Sequence, residues 1–157
     1  MNDKANILIV DDEEVVRLSH LRSLKGMGCN MRLAEDGTAA LSAMEKEAFD
    51  VILLDLRMPD LDGMDVLRTV KKRWPDCEVI VITGYPSIES AKEAVRLGAY
   101  NYLAKPLCPD EVVKATHDAM TQKRWALRSV QNGRNPENLV TLRPVTAPAA
   151  SINEDRR

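Results

Sequence analysis

No apolar run in this sequence is long enough to cross a bilayer. The longest, such as residues 51–54 and 79–82, cover about one strand each, whereas a membrane helix needs roughly 20 apolar residues. The opening Met-Asn-Asp-Lys-Ala-Asn leads straight into a strand-like stretch and lacks signal-peptide organisation. A cytoplasmic chain with no membrane partner is therefore expected. Cysteine is scarce: Cys29, Cys77 and Cys108 are odd in number and far apart. That argues against a disulfide framework or a zinc knuckle and suits reduced thiols. Only two histidines occur, His20 and His117, and both read as helix-surface or boundary residues.

What is present is ordinary for a globular chain. The 157 residues are 45% hydrophobic and 29% charged, enough for one domain with a short appendage. The formal net charge of -2 is unevenly spread. From Arg124 onward six Arg face three acids, a net +3, which leaves -5 on residues 1–123. An acidic body argues against nonspecific nucleic-acid binding by the main domain.

Short aliphatic runs at 7–10, 31–34, 51–54, 79–82 and, more weakly, 100–103 alternate with longer stretches of helical spacing. The first such stretch, 14–27, carries Val15, Leu18, Leu21 and Leu24 and has stop signals at Gly26 and Gly28. The second starts near Asp36-Gly37-Thr38. The third follows Asp62-Gly63 and closes at Trp74-Pro75. The fourth runs from about Ser87 to Leu97 and stops at Gly98. The last starts near Pro109, with Asp110 and Glu111 suited to the positive helix end. Five βα units with nearly all-apolar strands predict an α/β fold: a doubly wound, five-stranded parallel sheet with helices on both faces. Beyond about Ser129 the pattern dissolves into Asn132, Gly133, Asn135 and Pro136. The expected division is a domain over 5–123, then a helical extension and flexible tail over 124–157.

In such sheets functional groups collect beyond the carboxyl ends of the strands. Those ends carry Asp11-Asp12, Asp55, Thr83 and, just beyond the last strand, Lys105. Three crowded carboxylates repel one another and lose hydration. A hard divalent cation relieves both, and magnesium suits a few carboxylates completed by water and phosphate oxygens. Asp55 can then serve as a nucleophile toward phosphorus. The Lys105 ammonium and the Thr83 hydroxyl would meet the transferred oxygens, and Gly84 leaves them room. Each feature alone has a bland reading as a cap or turn residue. Their joint occurrence at the correct strand ends is what favours a site.

The segments ILIVDDEE (7–14), VILLDLRMPDLDG (51–63), VIVITGY (79–85) and GAYNYLAKPL (98–107) resemble the receiver domain of bacterial two-component response regulators. The resemblance covers roughly residues 5–123 and implies the flavodoxin-like receiver fold. It implies that Asp11, Asp12, Asp55 and the backbone carbonyl of Arg57 hold Mg2+. Asp55 would accept phosphate from a sensor histidine kinase or a histidine phosphotransfer protein, docking near residues 15–22. Thr83 and Lys105 would contact the acyl phosphate, and Pro106 would follow a cis peptide. Thr83 and Tyr102 would form the switch, Tyr102 turning inward as phosphate draws the Thr83 hydroxyl. Arg57 and Tyr85 would shield the acyl phosphate from water. Asp60 and Asp62 read as turn and cap residues, and Cys108 receives no role.

A phosphatase of the haloacid-dehalogenase type needs an acid two residues after the nucleophile, where Arg57 stands. A flavodoxin-like cofactor binder needs a Ser/Thr/Gly-rich loop where this chain has Asp-Asp-Glu-Glu. A purely structural module would not need the complete acid, Thr and Lys set. The expected role is a phosphorylation-controlled signalling domain, not an enzyme with an external product. It would act alone, as a phosphorelay intermediate, through a phosphorylation-dependent homodimer, or as the receiver of a larger transcriptional activator.

Overall fold

The computed structural model describes residues 4–131, with side chains through Lys123. In chain order the elements are β1 (Asn6–Val10), α1 (Glu14–Leu24), a 3-10 turn (Lys25–Met27), β2 (Asn30–Ala34), α2 (Gly37–Lys46) and β3 (Val51–Asp55). They continue with α3 (Gly63–Arg73), β4 (Glu78–Thr83), α4 (Ile88–Arg96), β5 (Asn101–Ala104) and α5 (Pro109–Gln131). The strands form one parallel sheet in the order β2-β1-β3-β4-β5. This is the doubly wound architecture expected from the βα alternation. Of the expected helical extension and tail over 124–157, residues 132–157 lie outside the described residues.

Strand periodicity sorts the core into two layers. Leu8, Val10, Ile52, Leu54, Val79 and Val81 face α2, α3 and α4, where Ala40, Met44, Val66, Leu67, Val70 and Ala94 meet them. Their neighbours Ile7, Ile9, Val51, Leu53, Ile80 and Ile82 face the opposite way, toward Leu24 of α1 and Val112, Ala115 and Ala119 of α5. Each fully buried Leu or Ile contributes about 1.5–3 kcal/mol relative to exposure. The three central strands, buried on both faces, therefore anchor everything at their ends.

Local chemistry sets the helix starts. Asp36, Asp62 and Ser87 cap α2, α3 and α4 by accepting from the amides of Ala39, Met64 and Ser90. α1 gives way to the 3-10 turn after Leu24, and the chain reverses at Gly28, whose φ of 71° suits a residue without Cβ.

Several expectations change. β1, β3 and β4 each reach further than the aliphatic runs, so Asp55 and Thr83 are the last residues of their strands rather than residues following them. β5 begins one residue later than expected, because the Tyr100 amide serves as its entry bond to the Val79 carbonyl at 2.7 Å. The α1 stripe does not face the core as a unit. Nine residues at about 100° each place Val15 opposite Leu24, and Val15 is 78% exposed. His20, one turn before Leu24, is buried at 8% exposure and is not a surface residue. Finally, α5 continues to Gln131, past the expected dissolution near Ser129.

Candidate functional site

The strand order reverses between β1 and β3, and crevices in open sheets form at that switch point. β1 delivers Asp11 and Asp12 there and β3 delivers Asp55. One carboxylate oxygen from each of the three lies within 4.8 Å of the others. Asp11 and Asp55 are buried, while Asp12 is open to water. Asp11 is held in place: its amide donates to the Ala34 carbonyl at 3.2 Å, and its Oδ1 accepts the Glu13 amide at 2.9 Å. Arg17 donates to its carbonyl at 2.7 Å.

Lys105, beyond β5, reaches back across the sheet edge. Its Nζ lies 2.8 Å from Asp11 Oδ2 and 3.7 Å from Asp55 Oδ2. One ammonium against three carboxylates leaves an excess of negative charge. Burial and the neighbouring Asp11 push the Asp55 carboxyl up to about 6, against the opposing pull of Lys105 and the Arg57 amide. Burial lowers the Lys105 ammonium, but its bond to Asp11 and the charges of Asp11, Asp55 and Glu13 outweigh that and raise it. The all-oxygen, electron-rich donor set fits a hard cation such as Mg2+.

Thr83 ends β4 fully buried, and its Oγ1 accepts the Tyr85 amide at 3.0 Å. The Arg57 guanidinium lies 4.1 Å over the Tyr85 ring, and both side chains line the cleft that reaches Asp12 and Thr83. The Lys105–Pro106 peptide is cis. A cleft of about 750 Å³ opens from Asp12 and Thr83 along Arg57, Met58, Tyr85 and Ser87. A second hollow of about 420 Å³ sits at the opposite sheet end, around Asn6 and Asn30, away from the acid cluster.

The Tyr102 ring, expected to turn inward, is already buried at 5% exposure. Its hydroxyl accepts the Ser87 amide at 3.2 Å and shares a hydrogen bond with Ser90 Oγ. Ser90 was not legible as a partner: its three-residue spacing from Ser87 signals a cap, not a contact with β5. Asp62 caps its own helix, α3, whereas Asp60, besides the Leu61 amide of its own turn, reaches α2. It accepts from the Gly37 amide at 3.1 Å, the Thr38 amide at 2.9 Å and Thr38 Oγ1 at 2.7 Å. Slight desolvation pushes its carboxyl up, but the Thr38 hydroxyl and nearby amides outweigh that and hold it well below the ordinary carboxylate range. The Cys108 amide donates to Glu111 Oε1 at 2.9 Å, half of a capping box, and this amide together with the Cys108 thiol holds the Glu111 carboxyl below its ordinary value.

The response regulator receiver domain model matches residues 7–117. The chain belongs to the response regulator receiver domain family. It is 33% identical over 137 residues to the DNA-binding transcriptional regulator NtrC of Proteus hauseri, covering 87% of this chain and 28% of that protein. Among solved structures, NtrX from Brucella abortus in complex with ADP superposes with a TM-score of 0.77 at 33% identity, covering 84% of this chain and 30% of that one. A CheY-like receiver domain protein from Methanospirillum hungatei JF-1 gives 0.75 at 28% identity, covering 78% and 98%. This receiver thus spans about a quarter of the length of the curated relatives it matches. Its fold is that of a two-component signalling domain. Among the described residues, no helix is long and apolar enough to cross a membrane.

Proposed function

We propose that this receiver accepts a phosphoryl group on Asp55 from a histidine kinase or a histidine phosphotransfer protein, with Mg2+ bound. The observation that carries the reading is the clustering of Asp11, Asp12 and Asp55 with Lys105 bonded to Asp11 beside Asp55. Asp11, Asp12, Asp55 and the Arg57 carbonyl would hold the cation, whose charge offsets the carboxylates and the transferred oxygens. An Asp55 oxygen attacks phosphorus, the phosphorus–nitrogen bond to the donor histidine breaks, and its electron pair stays on the imidazole. Lys105 then binds the phosphoryl oxygens, and Thr83 turns its hydroxyl from the Tyr85 amide toward them.

Movement of Thr83 is read by the Tyr102 ring and passed to α4 through Ser87 and Ser90. Phosphate thereby biases a two-state equilibrium of the α4 face. That face exposes Ile88 and Val95, which suits a phosphorylation-dependent homodimer. The cell interior, where such donors work, is the proposed location. Self-phosphorylation and autodephosphorylation are the only chemistry proposed. The shared length with the NtrC relative favours a second arrangement, in which this receiver controls a longer transcriptional activator.

Acetyl phosphate with Mg2+ tests the assignment. Intact-mass measurement is expected to show one added phosphoryl group, lost in Asp55→Asn and in the presence of a chelator. Undiminished labelling of Asp55→Asn would overturn it.

A further inference from the structure

The loop that carries Arg57 is held at both ends. Residues 56–62 join β3 to α3, and the Gly63 amide donates to the Leu56 carbonyl at 3.0 Å, closing the loop on itself. A Cβ on Gly63 would lie 2.4 Å from Leu56 Cα and 2.7 Å from the Asp55 carbonyl oxygen, so only glycine lets α3 start this close to β3. Asp62 binds α3 through the Met64 amide at 2.9 Å.

Asp60 reaches in the other direction. It takes three hydrogen bonds from Gly37 and Thr38 at the start of α2, a helix already capped by Asp36 through the Ala39 amide at 2.8 Å. The contact is also packed. A Cβ on Gly37 would meet Leu61 Cβ and Val66 Cγ2, each at 2.9 Å. The loop and the first turn of α2 therefore form one joined surface.

We propose that Asp60, together with Thr38, is a positioning residue for the cation site. It ties the β3–α3 loop to α2 and so keeps the Arg57 backbone in place beside Asp11, Asp12 and Asp55. The inference rests on the receiver reading above. Ordering the loop residues costs backbone entropy. Hydrogen bonds to the charged Asp60 carboxylate offset part of that cost. The tie meets that part of the ordering cost before a cation arrives, which is how preorganisation raises affinity. A displaced loop would also disturb Asp55 directly, because the Arg57 amide donates to Asp55 Oδ1 at 3.3 Å.

Titration calorimetry with MgCl2 on the whole chain, paired with amide hydrogen exchange, tests this. Asp60→Ala is expected to weaken Mg2+ binding by roughly tenfold, the low end for residues that orient ligands without touching the metal. Asp60→Asn, with one acceptor oxygen left, and Thr38→Val are expected to fall between it and wild type. These two milder variants carry the same prediction if Asp60→Ala does not fold. Asp36→Ala is the structural control: its α2 amides exchange faster while Mg2+ affinity stays at the wild-type value. Wild-type affinity in the Asp60 and Thr38 variants would overturn the proposal, as would an equal loss in Asp36→Ala. A wild-type chain that binds no Mg2+ would overturn the receiver reading along with it.

Discussion

Replacing Asp55 by Asn is expected to stabilise the metal-free fold, although it removes the central residue of the site. The folded carboxyl sits near 6 instead of its ordinary 3.8, because burial and Asp11 disfavour its charge. A folded-state value raised in this way means that the stability associated with the protonated acid is fully present below the unfolded pKa. It is then lost as pH rises through about 6. Each tenfold change in proton affinity between the folded and unfolded chain is worth about 1.4 kcal/mol. The ionised group therefore costs roughly 2–3 kcal/mol, with the lower end favoured because water reaches the site past Asp12. Asn has nearly the same shape, keeps an acceptor for the Arg57 amide and carries no charge.

Thermal and urea unfolding in a chelator at about pH 7.5 should therefore favour Asp55→Asn by that amount, or roughly 10 °C in Tm for a domain of this size. Near pH 4.5 the gap should shrink to about a third, since the folded wild-type carboxyl is then protonated. Mg2+ should close it at neutral pH, because a ligand at a hundred times its Kd adds about 2.7 kcal/mol to the form that binds it. Wild type as stable as Asp55→Asn in chelator at pH 7.5, or a gap indifferent to pH, would refute the electrostatic reasoning.

Two other outcomes follow from particular contacts. Thr116 is fully buried on α5, and its hydroxyl has no hydrogen-bond partner among the described residues. Thr116→Val keeps the shape and removes the unmet polar group, so urea unfolding should show a gain of about 1 kcal/mol; a loss would mean that the hydroxyl is satisfied in solution. The Arg57 guanidinium stacks 4.1 Å from the centre of the Tyr85 ring, and an exposed cation–π contact is worth about 0.5–1 kcal/mol. The double variant Arg57→Ala, Tyr85→Ala should hydrolyse its acyl phosphate roughly two- to fivefold faster, followed by loss of the phosphoryl mass over time. An unchanged lifetime would remove shielding as the role of this pair.

The sequence by itself determined the layer architecture and the end of the sheet where the acids gather. Aliphatic strands of alternating facing, cap residues at 36, 62 and 87, and acids at the ends of β1 and β3 are all local signals. Each acts within a few residues, through side-chain periodicity or a first-turn hydrogen bond, so it survives in a one-dimensional reading. Only the tertiary structure decided which of these residues touch. Lys105 bonds to Asp11 across 94 residues, and Asp60 holds α2 across 22. The Tyr102 hydroxyl finds Ser87 and Ser90 only because β5 and α4 pack together. His20 is buried because it lies one turn from Leu24, on the part of α1 that packs against the core, while Val15 of the expected stripe is exposed. The raised carboxyl of Asp55 has the same origin. Burial and a second acid from another strand create it, and neither is a property of the residues beside it in the chain.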